Sequence, residues 1–359
     1  MTISPAGRTT KAGRRTAPAA IALLVAAGSA PATPPPQPIH VHEAIEVPRV
    51  LVDARVVDSR GTAVPSLGIN DFRVLVDGKA VTLESVEWVE GARPFAEGLP
   101  PEQAASAGTP AAPPGRLIVF FFQTDFASVR LNGLMTMKAR AIMMLDTLLP
   151  TDRVAVVSFD SHLRFRQDFT SDRELIAAAV HRSILFGGEE RLRPSPFPSL
   201  IPSFDAAAAR RAASPETGLL VVGRALEKLP GAKSVVYFGW GLGHLAGGPV
   251  MRQVMMGHDY APARAALARA RASVFAIDVT DADYHDLEVG LERVAEDTGG
   301  FYAKTNLFPG QAITRIEGAL AGHYVLVVVR PDGPHGSHEI SVEVSDPRLT
   351  VLARPSYDD

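Results

Sequence analysis

Six apolar residues, Leu117 to Phe122, run without a polar interruption. A run this short, rich in Val, Ile and Phe, reads as a strand buried on both faces. Polar residues end it abruptly at Gln123. A helical pattern follows over Leu131–Leu149, with Leu134, Met137, Lys138 and Ala141 at helical spacing and Pro150 as its stop. A buried strand, a polar loop and a helix form the repeating unit of an open α/β sheet. In such sheets the loop lies at the carboxyl edge, where ligands bind.

The unit recurs downstream. Val154–Phe159, Ser234–Phe238 and Ser273–Ile277 read as further buried strands, with Phe301–Ala303 a last short one. Leu163–Phe169 alternates and suits an edge strand. Helices are expected from Ser171 to Ile184, over Gly218–Leu229, Pro262–Arg271 and Asp286–Thr298. Ser171 with Glu174 three residues on predicts a capping box. Alternating strands and helices imply a doubly wound, mostly parallel, Rossmann-like sheet over 116–306.

The flanks have a different texture. Within 47–90, Val50–Val57 and Phe72–Val76 alternate with period two, and Asp77-Gly78 marks a hairpin. The charges of this segment are expected to face water. Within 322–357, Tyr324–Val329, His338–Val344 and Leu349–Ala353 read as strands. Each flank alone has too few strands for independent stability, so the two are expected to form one antiparallel β-sandwich. Residues 91–115, rich in Pro, Ala and Gly, read as a linker.

The amino terminus bears on compartment. Arg8, Lys11, Arg14 and Arg15 precede an apolar stretch, Ala17–Ala27, and Ala30-Pro31-Ala32 is a small-residue cleavage sequence. This layout predicts a signal peptide over 1–32 and a Pro-rich linker over 33–46. The expected location is secreted, periplasmic or cell-surface, with no membrane span in the mature chain. A net charge of −3 supplies no field for nucleic acid. With no Cys, a disulfide framework, a thiolate zinc site and a Cys nucleophile are excluded.

The Arg116–Arg130 segment resembles the opening strand and metal loop of von Willebrand factor A domains. In that family the loop reads Asp-x-Ser-x-Ser and holds a divalent cation. The aligned residues here are Gln123, Thr124, Asp125, Phe126 and Ala127. Further segments are similar to bacterial VWFA-related proteins of the kind common in Acidobacteria. They include Asn70-Asp71-Phe72, Asp77-Gly78-Lys79, Asp152–Phe159, Gln167–Asp172 and Thr298-Gly299-Gly300. The resemblance implies an exported binding protein with no established catalysis and an unidentified extracytoplasmic protein as partner.

It also implies where metal ligands would stand. Thr217 matches the Thr that the family places before its third helix. Trp240, or Gly239, stands where a later Asp would be. A hard cation takes about six oxygens, and carboxylates supply most of its affinity. Gln123 and Trp240 bring none, so the metal motif is degenerate and no cofactor is expected. Magnesium or calcium would have only Asp125 and Thr217 as ligands. The binding surface is expected around Gln123, Thr124, Asp125, Phe126, Thr217 and Trp240.

Competing functions are an envelope hydrolase using the same edge, metal-dependent adhesion through a rebuilt cation site, and a purely structural envelope module. Ser158-Phe159-Asp160-Ser161-His162 holds nucleophile, acid and base types, but no Gly-x-Ser-x-Gly elbow surrounds either Ser. Gly239-Trp240-Gly241-Leu242-Gly243 fails the dinucleotide spacing at His244. Asp278, Asp281, Asp283, His285, Asp286 and Glu288 form an acidic cluster. It reads as helix capping, with a calcium or other metal site as the alternative.

Overall fold

Residues 48–90, 115–124, 128–184, 192, 194–196, 198–248, 252–280, 284–305 and 309–358 are described by the computed structural model. The leader expected over 1–32, the linker of 33–46 and almost all of 91–115 lie outside them. So do Asp125, Phe126, Asp281 and Asp283.

Four strands come first: β1 (Arg49–Val57), β2 (Phe72–Val76), β3 (Lys79–Ala80) and β4 (Leu83–Glu90). The apolar run then forms β5 (Leu117–Gln123), followed by helix α1 (Ser128–Met144). β6 (Arg153–Phe159) pairs with the antiparallel edge strand β7 (Leu163–Thr170), and α2 (Arg173–Ile184) follows. Asp172 caps α2, its Oδ1 accepting from the amides of Glu174 and Leu175 at 3.0 and 3.1 Å. The expected capping box on Ser171 does not form, because the helix begins at Arg173 and Asp172, not Ser171, adjoins it. After α2 the described chain forms α3 (Ala206–Arg211), capped by Asp205.

Then come α4 (Pro215–Leu226), β8 (Lys233–Gly239), the hairpin β9 (His244–Gly247) and β10 (Arg252–Met255), and α5 (Tyr260–Arg269). β11 (Ala272–Asp278), α6 (Glu288–Asp297), β12 (Tyr302–Lys304) and α7 (Pro309–Ala321) complete the α/β part. The chain closes with β13 (Gly322–Val329), β14 (Ser337–Val344), β15 (Thr350–Ala353) and β16 (Ser356–Asp358).

The central sheet has the order β12-β11-β8-β5-β6-β7 and is parallel except for β7. β5 shows why its sequence is uniformly apolar. Leu117, Val119 and Phe121 enter one core with α4, α5 and α6. Ile118, Phe120 and Phe122 enter a second with α1, α2 and α7. The chain runs outward from β5 to β7, then crosses to β8 and runs outward the other way. The gap between the carboxyl ends of β5 and β8 is therefore the topological switch point.

Thr298-Gly299-Gly300 fastens α6 to β11. Thr298 Oγ1 accepts from the Val274 amide at 2.9 Å and donates to Val294 O at 2.7 Å. A Cβ on Gly300 would lie 1.9 Å from Val274 O. Backbone cannot yield as a side chain does, so Gly300→Ala should cost about 3 kcal/mol. Equilibrium urea unfolding measures this, and a loss under about 1 kcal/mol would contradict the close approach.

The flanking strands form two antiparallel sheets, β15-β1-β13-β4 and β16-β14-β2-β3. Val52, Tyr324 and Leu326 of the first share one apolar cluster with Val74, Val76 and Ile340 of the second. Tyr324 packs edge-on against Phe72 and Trp88, both at 4.9 Å, and its hydroxyl donates to Val64 O at 2.6 Å.

The other face of β1 departs from the sequence expectation. Asp53 and Arg55 do not face water; they meet the amino ends of the central strands. Asp53 holds Arg271 through two hydrogen bonds, of 2.9 and 2.6 Å. Arg55 donates to Ser273 Oγ at 2.7 Å and to Ala319 O at 3.0 Å. Arg116, just before β5, pairs with Asp152 and donates to Leu320 O at 2.7 Å. Strand alternation correctly put these side chains on the non-core face, but that face is covered by the α/β part. The amino edge of the central sheet is thus closed.

Candidate functional site

β5 and β8 bring Gln123 and Gly239 to the two sides of the switch point. Gln123 is 3% exposed. Its Oε1 accepts from the amides of Trp240 at 3.0 Å and Gly241 at 3.3 Å. Gly239 makes room for it, since a Cβ there would lie 2.7 Å from that oxygen. The amide of Gln123 therefore fills the crevice and ties β5 to the exit loop of β8.

The other described candidates are also engaged internally. Thr124 extends the β5–β6 pairing, its amide and hydroxyl both donating to Phe159 O, at 2.8 and 3.2 Å. Thr217, in the first turn of α4, donates its hydroxyl to Asp259 Oδ2 at 2.6 Å. Trp240 is half-buried under the guanidinium of Arg130, 3.7 Å from the ring centroid. Its Nε1 is buried and has no hydrogen-bond partner among the described residues. Among the described candidates, only Gln123 and Trp240 are joined by a direct hydrogen bond.

Two acidic residues here were not picked out from the sequence. Glu216 is 2% exposed, and its Oε1 accepts from the Gly243 amide at 2.6 Å. The exit loop of β8 is therefore held by Gln123 on one side and Glu216 on the other. Burial, reinforced by the Glu216 charge, pushes the Tyr237 hydroxyl well above its usual pKa. Asp259 directly precedes α5. It makes no capping bond and turns to Thr217 instead.

Among the described candidates, Gln123, Thr217 and Trp240 bring no carboxylate toward a hard divalent cation. The Gln123 oxygen is neutral and already accepts two amides, and Trp240 offers only an N–H. The Thr217 hydroxyl is committed to Asp259.

At the exit of β11 the acidic cluster closes on itself. Asp278, His285 and Glu288 bring ligand-type atoms within 4.8 Å of one another. Asp278 Oδ2 lies 2.8 Å from His285 Nε2 and accepts from the Tyr302 hydroxyl at 2.9 Å. Lys304 Nζ lies 2.7 Å from Glu288 Oε2. Burial would raise the Asp278 pKa, but hydrogen bonds from His285 and the Thr280 amide outweigh it and lower it. The chain's own donors thus meet both carboxylates.

The Ser158–His162 segment does not build a triad. Ser158 Oγ accepts from Arg166 Nε at 2.8 Å. Ser161 Oγ lies 3.2 Å from His162 Nδ1, but Asp160 bonds Ser161 itself, at 3.1 Å, and pairs with Arg164. A triad acid must instead orient the far nitrogen of the base.

Around this edge apolar side chains meet solvent. The β9–β10 hairpin, which continues from the exit loop of β8, presents Leu245 and Met255, 42% and 51% exposed. Tyr284, after β11, is 65% exposed. The sequence carries no strand expectation for β9 and β10, because strands of four residues are too short for clear alternation.

No family model matches the sequence, and no curated protein matches it. Among solved structures, the chain is similar to a von Willebrand factor type A protein from Catenulispora acidiphila. That match has 11% identity, covers 86% of this chain and 72% of the other, and has a TM-score of 0.39. It is similar to the vWF domain of the type V pili tip protein Mfa5 from Porphyromonas gingivalis, with 11% identity, 56% and 94% coverage and a TM-score of 0.38. It is also similar to the PilB minor pilin from Streptococcus sanguinis, as its D319A mutant, with 11% identity and a TM-score of 0.36. The match covers 57% of this chain and 60% of the pilin. Likenesses this distant carry no argument about role. The fold stands on the strand order. Among the described residues, no helix is long and apolar enough to cross a membrane.

Proposed function

We propose that this chain is an exported, non-catalytic binding protein of the von Willebrand factor A type with a degenerate metal motif. It carries an α/β domain over 116–306 and a β-sandwich built from 47–90 and 322–357. Its partner is an extracytoplasmic protein, bound without metal at the carboxyl edge of the central sheet. One observation carries the reading: Gln123 Oε1 bonds the Trp240 and Gly241 amides in the crevice where a cation or small ligand would sit. With the crevice filled and the amino edge covered, the surface left for recognition is the rim. There Leu245, Met255 and Tyr284 already expose apolar area.

The test is retention of a partner from a cell-envelope extract on immobilised protein, in magnesium and in chelator. Retention should be equal in both and should fall at least tenfold in a folded Leu245→Asp/Met255→Asp variant. Retention that requires magnesium would replace this reading with metal-dependent adhesion. Cleavage of the retained material would make the edge an active site. Undiminished retention by the variant would remove the rim from the interface.

A further inference from the structure

The edge strand β7 carries a cavity that the crevice reading does not use. It has a volume of about 280 Å³, near the lower end of ligand-sized pockets. It lies beside the start of β7, which pairs with the carboxyl end of β6. Phe165 and Phe204 form an aromatic wall, their rings stacked at 4.8 Å and 23°. Ile201 adds apolar surface, and Arg164, Arg166 and Arg210 supply the charge. No Asp or Glu lines the cavity among the described residues.

The arginines differ in freedom. Arg164 is paired with Asp160 at 3.1 Å, and Arg166 donates to Ser158. The Arg164–Asp160 pair is close to neutral, and Arg166, held by a neutral hydroxyl, keeps its positive charge at the wall. Arg210, in the last turn of α3, is exposed and has no ion pair among the described residues. A cavity with a flat aromatic wall and a cationic rim recognises a flat body bearing a negative group.

The cavity is also built rather than incidental. Asp168 of β7, 0% exposed, holds Ser195, Ser199 and Leu200, the last next to Ile201. Its Oδ2 accepts from the Ser195 amide at 3.0 Å and the Ser199 hydroxyl at 2.5 Å. Its Oδ1 accepts from the Leu200 amide at 2.9 Å.

We propose that this cavity binds a small aromatic carboxylate, its ring against Phe165 and Phe204 and its carboxylate on Arg210. The proposal stands whether or not the rim binds a protein partner.

The probe is 2-naphthoate, with 2-naphthylmethanol as its neutral counterpart, titrated calorimetrically into the full chain. Naphthoate should bind at least tenfold more tightly than the alcohol, and more weakly as salt rises. Arg210→Glu should weaken naphthoate at least tenfold and leave the alcohol unchanged. Arg210→Lys, which keeps the charge, should retain most of the affinity. Should Arg210→Glu fail to fold, Arg210→Gln carries the same comparison. Equal affinities for the two compounds, no naphthoate binding at millimolar concentration, or full naphthoate affinity in the charge-removed variant would each overturn the proposal.

Discussion

Acidification from pH 7 to pH 4 should remove about 3 kcal/mol of folding stability through one side chain, His323. His323 lies on β13, 8% exposed, facing Asp53, Arg55 and Arg271. Burial is the largest influence and disfavours the imidazolium. Asp53, 3.5 Å away, favours it, while Arg55 and Arg271 oppose it, and the net result is a pKa lowered to about 4. In the unfolded chain it returns to roughly 6.5. Between those values the unfolded state binds a proton that the folded state does not, so stability falls as pH falls. Asp53 works lower on the scale. Burial alone would raise its pKa, but Arg271 outweighs that and holds it below the usual carboxylate range. Its contribution is present above about pH 4 and is lost as pH falls further. Urea unfolding at pH 7, 5.5 and 4 should show the decline, and His323→Gln should flatten most of it. An equal slope in the variant would place the sensitivity elsewhere.

Asp168→Ala should cost about 3–5 kcal/mol, since each buried donor left without an acceptor costs about 1–3 kcal/mol and several would be stranded. The Asp168 carboxylate is fully buried and bonded by backbone amides and a hydroxyl. Truncation would strand the amides of Phe169, Ser195 and Leu200 and the Ser199 hydroxyl without acceptors. Asp168→Asn should cost less, about half, because one carbonyl oxygen remains while the NH₂ opposes donors. Hydrogen exchange at Leu200 should accelerate in both variants. A loss below about 1 kcal/mol for Asp168→Ala would mean that Ser195, Ser199 and Leu200 are held by other contacts.

The central sheet was readable because its evidence is local. Six uninterrupted apolar residues in β5 require two covered faces, and five of the covering helices stand where the pattern placed them, while α7 (Pro309–Ala321) was not expected. The flanking strands were readable by alternation. What alternation cannot tell is whether the non-core face meets water or another part of the chain. Asp53 and Arg55 therefore looked like solvent charges, although their partners lie about two hundred residues away. Asp259 and Asp168 escaped for the same reason. Each sits where a carboxylate has an ordinary local explanation, and only tertiary contact gives it a different one. That Gln123 brings no carboxylate was legible in the sequence. That its amide would take the Trp240 and Gly241 amides as partners was not.

The pairing of β1 with β13 has a consequence for the order in which the molecule comes into being. Arg49 faces Val329 across that ladder, and Val76 of β2 faces Ile340 of β14. All six strands of the central sheet lie between these partners in the sequence, from Leu117 to Lys304. A chain emerging amino end first therefore owns a complete central sheet before β1 or β2 has its long-range partner. Such distant pairings form slowly. Until Gly322 and the strands after it arrive, the apolar sides of Val50, Val52, Val74 and Val76 wait uncovered beside open strand edges. Chains that stop short of residue 322 should thus retain the α/β sheet yet aggregate through the first strands, a hazard that ends only when the strands of 322–358 fall into place.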